Sequence, residues 1–99
     1  MEITGEVITG DRFEHKPPTA NVVMQKRVPV GVYLGRAFLG TAPLGRAAVW
    51  VLPHQAHIAE VYVSEFEGDL YGSYLTVKKL KQLNRVQLIE LYDKALSDD

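Results

Sequence analysis

Apolar and polar residues alternate with a two-residue period through most of this chain, and the period lengthens only near its C-terminal end. The clearest alternation runs from Ile58 to Phe66. Ile58, Glu60, Tyr62 and Ser64 share one face, and Ala59, Val61, Val63 and Glu65 share the other. Ile3 to Thr9 is another strand candidate, ended by the turn pair Gly10-Asp11, and Thr19 to Met24 follows, broken at Gln25-Lys26-Arg27. Between them Asp11 to Pro18 reads as a loop, because consecutive Pro17 and Pro18 donate no ladder hydrogen bonds and hold the backbone extended. Val28 to Phe38 is the longest candidate, and its Gly31 and Gly35 mark a bend, a bulge or a close backbone approach. Leu39 to Gly45 reads as a turn and Arg46 to Leu52 as a buried strand stopped by Pro53. A turn at Glu67-Gly68-Asp69 precedes a last strand, Leu70 to Leu80.

Strand signals thus continue to about residue 83, where the period changes. Leu88, Leu91, Tyr92, Ala95 and Leu96 recur at three- and four-residue steps, so a helix is expected over about residues 85–96 with Asn84 as its N-cap. About six short strands and one helix predict a mainly β fold, a closed or nearly closed antiparallel barrel with the helix packed on it. Closure removes the exposed strand edges that a small sheet would otherwise present. At 99 residues the chain suits a single domain, 1–99, with one core. It has no cysteine, which excludes disulfides and thiolate chemistry and fits a reducing cytosol. Its formal net charge of −1 offers no global basic field to nucleic acid or an anionic membrane. No segment approaches the roughly 18 apolar residues of a membrane helix, and Met1-Glu2-Ile3-Thr4-Gly5 lacks the basic start and apolar run of a signal peptide. A soluble, cytoplasmic protein is therefore expected.

The informative words stand in a fixed order. Gly5-Glu6-Val7-Ile8-Thr9-Gly10 leads to Pro18-Thr19-Ala20-Asn21, then to Gly31-Val32-Tyr33, Ala59-Glu60-Val61-Tyr62-Val63 and Asp69-Leu70-Tyr71-Gly72. This ordered set resembles the riboflavin kinase (flavokinase) family, found fused to FAD synthetase in bacteria and as a separate chain elsewhere. In that family a G-x-V-x-x-G strand enters P-T-A-N, and a G-V-Y strand, a glutamate-bearing strand, D-[LF]-Y-G and a helix follow. The resemblance implies a six-stranded, Greek-key-like antiparallel barrel with one C-terminal α-helix. It implies a kinase that transfers the terminal phosphate of ATP to the ribityl 5′-hydroxyl of riboflavin, giving FMN. Thr19 and Asn21 would supply oxygens to Mg2+ and the nucleotide phosphates, and Glu60 would accept the proton of the attacking hydroxyl. Arg12, Lys16 and Arg85 would add charge around the phosphates and the flavin. The partners implied are small molecules, riboflavin and ATP or ADP, with an FAD synthetase acting downstream.

Each of these residues has a plainer reading. A Thr and an Asn at a strand start commonly bond their own backbone in turns, and Glu60 beside Ile58 and Tyr62 can simply face solvent. The chain also departs from the family. The Asp11 to Pro17 loop has no glycine after Gly10 and loses an N–H at Pro17, so a cradle of backbone amides over the phosphates is weakened. Val49-Trp50-Val51-Leu52-Pro53 stand in place of the family's N-I-G-x-x-P-T-F word. A non-catalytic barrel of the same descent, holding flavin, nucleotide or a protein partner, is the second reading. Other constellations carry less. His54, His57 and Glu60 alternate faces at three-residue steps, which argues against shared zinc ligation. Lys78, Lys79, Lys81 and Arg85 read as a solvated strand edge. Trp50, Tyr71 and Tyr74 offer stacking surfaces, with Trp50 better placed as core.

Overall fold

The computed structural model describes residues 1–11, 19–64 and 70–84, with backbone alone at residues 9–11. Among the described residues six strands form: β1 (Ile3–Asp11), β2 (Thr19–Met24), β3 (Gly31–Leu39), β4 (Ala42–Val51), β5 (Ile58–Val63) and β6 (Tyr74–Gln82), with a 3-10 turn at Pro53–Gln55. They close into a barrel in the order β1-β2-β5-β4-β3-β6, every neighbouring pair antiparallel. The mainly β, closed six-stranded barrel is therefore as expected. The helix expected over 85–96 lies outside the described residues.

The two-residue period explains the interior. In β2, Ala20, Val22 and Met24 are buried while Thr19 and Asn21 are partly exposed; in β5, Ala59, Val61 and Val63 point in while Ile58, Glu60 and Tyr62 point out. A six-stranded barrel has a narrow lumen. It is filled mostly by Ala and Val, with Ile3, Leu75 and one large ring, Tyr33, all fully buried. The Tyr33 hydroxyl donates to the Pro29 carbonyl, which satisfies its polar tip, and burial pushes the phenol pKa above its ordinary value.

Several strand boundaries differ from the expected ones, each for a local reason. Gly10-Asp11 is not a turn: β1 continues through it, paired to Ala20 and Thr19 after a bulge between Val7 and Thr9. Val28 to Val30 precede β3 rather than opening it. The long turn expected at Leu39 to Gly45 shrinks to two residues, Gly40-Thr41, with Leu39 paired to Ala42. Gly40 takes φ 64°, the first position of a type II′ hairpin. Pro43 is tolerated inside β4 because β5 pairs only from Ala47 onward, so Pro43 occupies an edge section beside a bulge. At the last strand, residues 70–73 form a turn instead, with the Gly72 N–H donating to the Val7 carbonyl and the Val7 N–H to the Ser73 carbonyl.

Gly35 marks a third bulge. The β3–β6 register slips between Leu34 and Arg36, and Lys79 adopts a left-handed φ of 57° opposite it. A Cβ on Gly35 would lie 2.7 Å from the Lys78 carbonyl oxygen. The glycine is needed there because the bulged backbone presses against it.

Candidate functional site

The β2–β5 and β4–β5 registers line up three side chains on the outer surface of the barrel. Asn21 is the cross-strand partner of Glu60, and Glu60 is in turn the partner of Trp50. Directly paired residues share a face, with Cβ atoms about 4.5–5.5 Å apart. The same row continues to Val32 on β3, and in backbone register Asn21 pairs with position 9 of β1. Thr19 lies two residues before Asn21 on the same face, with Ala20 turned into the barrel between them. All four of Thr19, Asn21, Glu60 and Trp50 are partly buried, and the Asn21 amide oxygen is fully covered.

This arrangement follows from local sequence. Ala20 and Val22 on β2, and Ala59 and Val61 on β5, bury inward, which forces Asn21 and Glu60 outward by the pleat. The Ala20↔Val61, Asn21↔Glu60 and Val22↔Ala59 pairs hold the two polar groups opposite each other. The group has a carboxylate, an amide and a hydroxyl on one surface, flanked by an indole. Such a set can accept a proton, present neutral oxygens to a hard cation and contact a planar apolar ring.

Thr19, Asn21 and Glu60 are therefore brought together. Arg12, Lys16 and Arg85 lie outside the described residues. Among the described residues, no group of His, Cys, Asp and Glu could hold a metal by itself; His54 falls in the 3-10 turn and His57 in the turn after it. Thr19 and Asn21 bring donors of the kind Mg2+ takes, although the Asn21 amide oxygen is covered and would have to be uncovered to reach an ion. Their oxygens are hard and share a face, and magnesium needs few protein ligands when phosphates and waters complete its shell. Trp50 is the residue that sequence reasoning misplaced. It stands on the outer face, not in the core, because Ala47, Val49 and Val51 supply the inward positions of β4. The Trp50 face of Arg46 to Leu52 is marked as outward only by Arg46 at its start, a weak signal beside Ala48 and Leu52, and the pairing with Glu60 makes its place plain. The lysines of β6 are exposed, and the Lys78 Nζ sits 5.3 Å from the Phe38 ring centroid.

The chain is thus a small, closed six-stranded antiparallel barrel that carries Thr19, Asn21 and Glu60 on its outer face, with Asn21 opposite Glu60. The riboflavin kinase family model matches residues 1–93, and the chain belongs to that family. It is 34% identical over 112 aligned positions to a bifunctional riboflavin kinase/FMN adenylyltransferase of Pseudomonas fluorescens, an alignment covering 100% of this chain and 36% of that protein. The chain thus spans about a third of that relative's length. A crystal structure described as a macrolide-efflux protein from Streptococcus pneumoniae superposes with a TM-score of 0.72 at 23% identity, over 94% of this chain and 34% of the other. That likeness shows the shared fold alone. No helix among the described residues is long and apolar enough to cross a membrane.

Proposed function

We propose that the chain is a cytoplasmic riboflavin kinase domain that converts riboflavin and ATP to FMN and ADP. The observation that supports this reading is the Asn21↔Glu60 pairing, which sets a carboxylate beside an amide on one partly buried surface. Glu60 takes the proton of the ribityl 5′-hydroxyl as that oxygen attacks the γ-phosphorus. The new P–O bond forms as the bond to the β–γ bridging oxygen breaks, and ADP leaves with the electron pair. Thr19 and Asn21 hold the nucleotide phosphates in register with Glu60 and are the residues that would bind Mg2+. When bound, Mg2+ supplies charge neutralisation on those phosphates. Arg12, Lys16 and Arg85 add side-chain charge around the phosphates and the flavin.

One sequence feature favours a second reading, a non-catalytic barrel that binds flavin, nucleotide or a protein partner. The loop before Thr19 lacks glycine after Gly10 and carries Pro17, so backbone donors for a phosphate are fewer. The test is incubation of the purified chain with riboflavin, ATP and Mg2+, with flavins separated by chromatography. FMN that forms with the wild type and falls about 100- to 10,000-fold with Glu60→Gln supports the kinase and its base. Riboflavin binding without any FMN supports the second reading, and equal turnover in Glu60→Gln removes Glu60 from the mechanism.

A further inference from the structure

Trp50 is the only tryptophan of the chain, and it pairs with Glu60 on one side and with Val32 on the other. Asn21, Glu60 and Trp50 lie on successive strands β2, β5 and β4, all on the outer face. Adjacent strands are about 4.8 Å apart, so the row extends about 10 Å from Asn21 to Trp50 with the carboxylate midway. A phosphoryl acceptor with a primary hydroxyl on a short polyol chain and a flat ring at the other end has its groups in the same order. With the donor phosphate near Asn21 and the hydroxyl at Glu60, the ring falls one strand further on.

We infer that the Trp50 indole is the surface against which the acceptor's planar ring stacks, which makes it a specificity-determining residue of the acceptor subsite. The inference rests on the proposed role of Glu60. Three features carry it. The indole is displayed on the outside although the inward positions of β4 are filled by smaller residues, and it is only partly buried. It stands next to the one carboxylate in the row, not elsewhere on the barrel. Large flat side chains stack on flat heterocycles with offset geometry, and they hold their orientation at little entropic cost. A merely structural Trp50 would cover the β4–β5 pair and contribute to stability without regard to the ligand's ring.

The deciding experiment titrates the wild type, Trp50→Leu and Trp50→Phe with riboflavin, with lumiflavin (the ring without its polyol chain) and with Mg-ATP, alongside urea unfolding of each. Trp50→Leu is expected to raise the Kd for riboflavin and lumiflavin alike about tenfold, or about 1.4 kcal/mol. Its Kd for Mg-ATP should stay unchanged, and Trp50→Phe should recover most of the loss. An unchanged affinity of Trp50→Leu for both ring compounds overturns the inference, even where the wild type makes FMN and the kinase reading stands. Equal weakening of flavin and Mg-ATP by both Trp50→Leu and Trp50→Phe, with urea midpoints unchanged, overturns it too, because Trp50 then does not act on the ring alone. Trp50-dependent lumiflavin binding without FMN formation upholds the ring surface while the kinase reading fails. A wild type that binds no flavin removes both.

Discussion

Gly5 offers the sharpest test of how the barrel is held closed. Its φ is not left-handed, so conformational freedom is not the reason for glycine here. A Cβ built on it would lie 1.8 Å from the Val23 carbonyl oxygen, 2.7 Å from the Val23 carbonyl carbon and 3.0 Å from a methyl of Val22. Non-bonded heavy atoms settle at about 3.5–4.0 Å, so β1 and β2 must part by more than an ångström to admit a methyl group. The atoms in the way are backbone, which cannot swing aside as a side-chain end can. Parting the strands around Gly5↔Met24 gives up about two ladder hydrogen bonds, each worth about 1 kcal/mol net. Looser packing of the fully buried Ile3 and Val22 adds about 1–2 kcal/mol. Gly5→Ala should therefore cost about 3–4 kcal/mol, a large part of the 5–15 kcal/mol typical of a domain. For a chain of this size that lowers Tm by roughly 12–30 °C. Gly40→Ala is the control. Gly40 has a left-handed φ of 64° but nothing within 4 Å of the added atom, so its cost is the backbone term alone, about 1–2 kcal/mol. Urea unfolding followed by circular dichroism measures both. A Gly5→Ala protein as stable as Gly40→Ala would refute the argument that backbone contact, not φ, dictates the glycine.

The remaining predictions concern the site and the core. Asn21→Ala should weaken Mg-nucleotide binding about tenfold while leaving riboflavin binding nearly intact, measured by calorimetric titration; an equal loss of both would remove Asn21 from the nucleotide side. Tyr33→Phe removes the hydroxyl that donates to the Pro29 carbonyl and should cost about 1 kcal/mol near neutral pH. Burial raises the Tyr33 pKa in the folded state, so the unfolded chain gives up its phenolic proton first as pH rises. Stability from this group is present in full below about pH 10 and is lost as pH rises through the folded-state pKa. The gap between wild type and Tyr33→Phe should thus close on going from pH 9 to strongly alkaline buffer, about pH 11, in urea midpoints. A gap that widens would contradict the burial argument. Lys79→Gly should stabilise by up to about 1 kcal/mol, because Lys79 holds a left-handed φ of 57° where glycine is unstrained, and a loss of stability on thermal unfolding would count against it.

Glu60 and Asn21 show where local sequence suffices. Their strands were legible because buried Ala59 and Val61, and Ala20 and Val22, alternate with them, and alternation is a property of the pleat that neighbours along the chain record. The placement of Thr19 and Asn21 on one face followed for the same reason. Val28 to Val30 and Leu39 to Gly45 show where it fails. Glycine and proline punctuate both bulges and turns, and which one forms depends on the partner strand: Pro43 sits in β4 only because no β5 residue needs its missing N–H. Trp50 is the instructive case, since a single Arg46 at the start of an otherwise apolar run is a faint record of which face turns outward.

The order of the words around Pro18-Thr19-Ala20-Asn21 and Glu60 determined the family, and the two-residue period determined a mainly β fold. Barrel closure, the bulges opposite Gly35 and after Val7, and the row Asn21-Glu60-Trp50 were decided only by the tertiary structure. Strand register pairs residues that are 39 positions apart in the case of Asn21 and Glu60, and it is selected by the sum of many inward contacts. Such a sum exists only in the assembled barrel, so no local stretch of sequence can express it.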